Sequence, residues 1–139
     1  MIRILLSDGR FDVDKRRLKS LVSRVLEGEA SDGKSVDIVY CTDKLIGDLN
    51  RRFLGKNRTT DVLAFELEEK EATGFLGEIY VNLQQARRQA EDNNVGYKEE
   101  VGRLTVHGVL HLLGYDDLNK AARLRMWKRQ ESYLEEWKN

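Results

Sequence analysis

His107 and His111 are the only histidines in the chain's 139 residues, and they stand four apart. On a helix that spacing puts both on one face, one turn above the other. Gly114 follows, where a left-handed residue can end the helix, and Asp116 and Asp117 come next. A chain that doubles back there carries a carboxylate toward two imidazoles. Zinc binds such mixtures of imidazole nitrogen and carboxylate oxygen, so His107, His111 and Asp117 are the candidate ligands of one ion. Two structural histidines bonded to backbone are the plainer alternative. The paired spacing, with a glycine and two aspartates behind it, favours metal. The frame H-x-x-x-H-x-x-G-x-x-ligand is that of metzincin-type zinc hydrolases. Their general-base glutamate is missing, because Gly108 stands in its place. Peptidase chemistry loses its base while the metal layout survives. Gly108 also has a packing use, since a small residue lets another element approach the helix.

The rest of the chain must position that stretch. Hydrophobic residues make up 40% and charged residues 35%, which describes a globular chain. Its length predicts one domain, 1–139, with a real core. Lys+Arg and Asp+Glu number 24 each, so global charge neither favours nor excludes nucleic acid. The single cysteine, Cys41, excludes an internal disulfide and a cysteine-based zinc knuckle, and is expected to be a packing residue. No apolar run approaches the roughly 20 residues of a membrane span. The N-terminal residues 1–8 are too short an apolar stretch for a signal peptide. A cytoplasmic protein without membrane contact is expected.

Residues 2–7 predict a first strand. Asp12 or Asp14 caps a helix whose Leu18, Leu21, Val22, Val25 and Leu26 recur at helical spacing. Residues 35–41 alternate and predict a half-buried strand. Thr42 or Asp43 caps a second helix running to about Phe53, with Leu45, Ile46, Leu49 and Phe53 inward. Strands at 61–67 and 75–81 form a hairpin across an acidic, solvated connection. Asn82 caps a third helix, residues 97–113 form an apolar fourth, and a fifth runs from Leu118 to the C-terminus with Trp127 in the core. Together these predict an α+β (α/β-type) fold: a four-stranded mixed sheet with about five helices and the histidines on a central buried one.

Two basic stretches stand out. Residues 51–58 carry Arg51, Arg52, Lys56 and Arg58, with one aromatic and no acid. These four are the candidate substrate-binding residues, able to clamp phosphates. A solvated helix end, with arginines complementing its dipole, is the alternative. The cluster at 123–129 reads instead as the outer face of an amphipathic helix. Asp116 is the candidate catalytic carboxylate, as a general base or as support for a ligating imidazole; otherwise it caps the following helix.

The stretch His107-Gly108-Val109-Leu110-His111-Leu112-Leu113-Gly114-Tyr115-Asp116 resembles the signature of the YbeY family, bacterial rRNA maturation factors and endoribonucleases. Leu49-Asn50, Thr60-Asp61-Val62-Leu63-Ala64-Phe65 and Leu76-Gly77-Glu78-Ile79 are similar to further segments of that family. The resemblance covers residues 45–117 closely. It implies a zinc-dependent, single-strand-specific endoribonuclease of rRNA processing, with rRNA in ribosomal particles as partner. Two residues depart from the pattern. The family's third ligand is normally a histidine, and Asp117 stands there, which widens the choice toward other divalent metals. An arginine is expected where this chain has Leu54.

Overall fold

The structure, a computed structural model, describes residues 1–138. Four strands, β1 (Ile2–Leu6), β2 (Ser35–Cys41), β3 (Val62–Glu66) and β4 (Phe75–Asn82), form one sheet in the order β1-β2-β4-β3. β1, β2 and β4 are mutually parallel, and β3 pairs antiparallel with β4 at the edge. The helices are α1 (Lys15–Gly28), α2 (Asp43–Leu54), α3 (Lys70–Thr73), α4 (Leu83–Asp92), α5 (Tyr97–Leu112) and α6 (Lys120–Lys138). The expected mixed sheet is therefore present, with six helices among the described residues. The extra one, α3, is a single turn in the connection read as solvated coil; four residues are too few for a periodic pattern to show.

Local chemistry starts the helices where the sequence places them. Asp14 accepts from the Arg17 amide to open α1, and Asn82 accepts from the Gln84 and Gln85 amides to open α4. β2 is more buried than alternation predicts. It lies between two strands, and even Asp37 is only 8% exposed. Arg3, its register partner on β1, binds the Asp37 carboxylate through two nitrogens at 2.8 and 2.6 Å. That fork supplies the partners a buried acid needs.

α5 runs through the middle. It packs on α1, α4, α6, β3 and β4, and ten of its sixteen residues are buried. The Tyr40 hydroxyl meets the Thr105 hydroxyl at 2.7 Å inside this layer. Gly108 faces the sheet: a methyl there would stand 2.5 Å from Ile79 Cγ2 and 3.3 Å from Val62 Cγ2. The packing reading of Gly108 is thus the observed one.

Three side chains expected inward or at a cap lie elsewhere. Phe53 is 64% exposed, because the buried stripe of α2 runs through Ile46 and Asn50 and the helix outruns the core by a turn. Trp127 is 53% exposed; the inward stripe of α6 is Ala122, Met126, Gln130, Tyr133 and Leu134, which turns the indole out. Asp116 does not cap α6. Asn119 does, accepting from the Ala122 amide at 2.8 Å.

Gly108→Ala is expected to destabilise the protein by about 1–3 kcal/mol, because a buried methyl must displace sheet side chains. Urea unfolding checks this; an unchanged midpoint would show that the α5–sheet contact can relax.

Candidate metal centre and its cleft

The end of α5 is built to fold back. The helix ends at Leu112 with Leu113 as its cap, Gly114 takes φ of 102°, and the Tyr115 amide returns to the Leu110 carbonyl at 3.0 Å. This is a glycine-dependent helix exit. It brings the Tyr115 carbonyl to His111 Nδ1 at 3.1 Å. A carbonyl only accepts, so His111 carries its proton on Nδ1. His107 Nδ1 meets Gln130 Oε1 at 2.7 Å, while Gln130 Nε2 donates to Glu131 at 3.1 Å. That second bond fixes which end of the amide faces His107, so His107 is protonated on Nδ1 as well.

With both rings neutral, each Nε2 keeps its lone pair, and the two face each other 3.1 Å apart. Two lone pairs do not satisfy one another. A single cation between them satisfies both, and two nitrogens on one tetrahedral zinc at about 2.0–2.1 Å stand ~3.3 Å apart. The donor pair therefore fits a metal ion. Burial, followed by the neighbouring His107, holds the His111 pKa below its ordinary value against the pull of Asp117, the Tyr115 carbonyl and Asp116. This favours the neutral, ligating form.

The pair sits in a cleft of about 560 Å³ between the β3 edge and the 114–117 turn. Asp61, Asp116 and Asp117 line the same cleft. Among the described residues no group of three or more His, Cys, Asp or Glu is gathered tightly enough to hold an ion. His107 and His111 are thus brought together, while Asp116 and Asp117 are exposed on the cleft wall. Asp116 accepts from the Leu118 amide at 3.1 Å. The four loop cations do not line this cleft. Arg51 and Arg58 border a separate groove with Asp43 and Asp48, and Arg51 is paired with Asp48. Arg52 and Lys56 are exposed. Gly55 turns the chain at φ 67°, Asn50 holds the Arg58 carbonyl at 2.8 Å, and the next residues, Thr60 to Val62, form the cleft wall.

The family model described as Endoribonuclease YbeY matches residues 3–138. The chain belongs to the YbeY family. A YbeY endoribonuclease of Persephonella marina is 38% identical over 121 residues, 84% of this chain and 79% of that protein. One from Chlorobium phaeovibrioides is 38% identical over 120 residues, 85% of this chain and 78% of that protein. The solution structure of TM1509 from Thermotoga maritima matches with TM-score 0.70 and 31% identity, covering 99% of this chain and 89% of that one.

Two supports of this YbeY site were not found by reading the sequence. Gln130 had a signal: it is a polar residue on the buried stripe of α6, only 3% exposed. Glu29 had none. It lies just past α1, and its carboxylate accepts from the Tyr115 hydroxyl at 2.7 Å, from Arg129 at 2.7 Å and from the Tyr133 hydroxyl. Glu29 therefore anchors the residue whose carbonyl orients His111. Burial raises its pKa, but the Tyr133, Tyr115 and Arg129 bonds outweigh that and hold it below the ordinary range. A depressed carboxyl stabilises the fold above its unfolded pKa, and that contribution is lost as pH falls through the folded value. Glu29→Gln is accordingly expected to be less stable than wild type at pH 7, with the gap closing as pH drops below about 4. Thermal melts of both proteins across pH 3–7 test it; a pH-independent gap contradicts the assignment.

Proposed function

We propose that the chain is a metal-dependent endoribonuclease that cuts single-stranded RNA during rRNA processing, acting in the cytoplasm on ribosomal particles. The relatives' name supplies the reaction class. The observation that carries the metal dependence is the facing pair of Nε2 lone pairs, 3.1 Å apart, in a solvent-open cleft. His107 and His111 would hold the ion, zinc in the first instance, with Asp117 from the cleft wall as third ligand. When bound, the metal supplies Lewis acidity toward a phosphoryl oxygen.

The protein's own groups do the rest. Gln130 and the Tyr115 carbonyl lock the imidazole tautomers, so the ligand lone pairs need no rearrangement. Asp116, exposed beside the histidines, is the group to take up a proton in the cleft. Arg51, Arg52, Lys56 and Arg58 hold phosphates further along the strand, outside the cleft. A second reading, a non-catalytic assembly factor with a structural metal, draws on Leu54, which is 49% exposed where the family pattern leads one to expect an arginine.

Metal analysis and RNA cleavage separate these. Wild type is expected to hold one ion per chain and to cut a single-stranded rRNA fragment, losing activity in chelator and regaining it with added metal. His111→Ala should lose the ion and at least ~100-fold in cleavage, since a first ligand matters no less than the groups that orient it. Cleavage that survives in the metal-free variant defeats the enzyme reading. Metal retained without cleavage in wild type favours the assembly factor. Asp117→Ala is expected to lose metal about as badly as the histidine variant; full metal content there removes Asp117 from the ligand set.

A further inference from the structure

A second cavity of about 490 Å³ adjoins the cleft: His107 and Asp61 line both, while His111 lines the cleft alone. The far cavity lies within the ~300–1,000 Å³ range of small-ligand sites. Its rim carries Trp127, a large aromatic ring 53% exposed on the outer face of α6. Its walls carry Glu100 and Glu131 around Arg103. Arg103 binds both carboxylates, at 2.7 and 2.9 Å; Gln89 also donates to the buried Glu100 and Gln130 to Glu131, which leaves Glu131 and Asp61 as the part-exposed acceptors. With Asp61 counted, the acids outnumber the one cation.

That composition is wrong for a phosphate and right for a nucleobase. Carboxylates repel the backbone but accept hydrogen bonds from an exocyclic amino group, as on cytosine or adenine. An exposed indole offers a stacking face, which every base can use. The phosphate has its own partner nearby. Arg123, one helical turn before Trp127, reaches the Asp117 carbonyl at 3.5 Å and is otherwise exposed.

We infer that this second cavity is a base-binding subsite beside the metal cleft. Trp127 stacks on the base of a nucleotide next to the scissile bond, the part-exposed carboxylates of Asp61 and Glu131 select an amino-bearing base edge, and Arg123 contacts its phosphate. The inference rests on the endoribonuclease reading for its ligand, but binding tests it separately.

The test is a fluorescence titration of the metal-loaded protein with 2′-O-methyl oligonucleotides of cytidine, adenosine and uridine, alongside cleavage of single-stranded RNA. Cytidine and adenosine oligomers are expected to bind more tightly than uridine and to quench tryptophan emission. Trp127→Phe should lose most of the quench and keep affinity. Trp127→Ala should bind about 10-fold more weakly with the salt dependence unchanged, because a lost stack removes no phosphate contact. Equal affinity in Trp127→Ala, or equal binding of uridine and cytidine oligomers, overturns the subsite. If wild type cuts RNA while Trp127→Ala cuts and binds as well, the subsite fails and the enzyme reading stands. If the oligomers bind with the expected signature and wild type cuts nothing, the reverse holds. No binding and no cleavage defeats both.

Discussion

The site depends on one electrostatic constraint: two imidazoles held with their Nε2 atoms converging. Left alone, a pair of histidines one turn apart would rotate apart or share a proton. Here each ring is tied at the back by an oxygen that can only accept, one from a side-chain amide on α6 and one from the backbone of the helix exit. The fold maintains an arrangement that favours a cation, and the elements around α5 are the ones that hold those two oxygens in place.

Support extends outward through the polar network. Gln130 is oriented by Glu131, Glu131 by Arg103, and Arg103 also by Glu99 and Glu100 at the start of α5. On the other side Tyr115 is tethered to Glu29, which also gathers Tyr133 and Arg129 of α6. Both orienting oxygens therefore depend on α6 being docked. This gives the C-terminal helix a part in the site, although it contributes no candidate ligand.

The sheet, its parallel start, its hairpin and the buried histidine helix were all legible from periodicity, cap residues and turn glycines. Those signals are local. What periodicity misjudged was which face of α2 and α6 turns inward, since Phe53 and Trp127 look like core residues by type. Apolar type says that burial would be favourable; it does not say that a neighbour exists at that position. The histidines were legible because their spacing is a helical turn. Glu29 was not, because its three partners lie 86 to 104 residues away in the chain. Asp117 stands at the ligand position by sequence frame but on the wall by geometry.

Gly108 has a consequence beyond stability. Its missing side chain would point at Ile79 and Val62, into the contact between α5 and the sheet. A glutamate introduced there would enter that contact before it could serve as a base, and would bring a carboxylate into apolar packing. The barrier to acquiring peptidase chemistry is therefore architectural. Changing this one codon does not reopen the route, because the sheet beneath the helix would have to be recarved first.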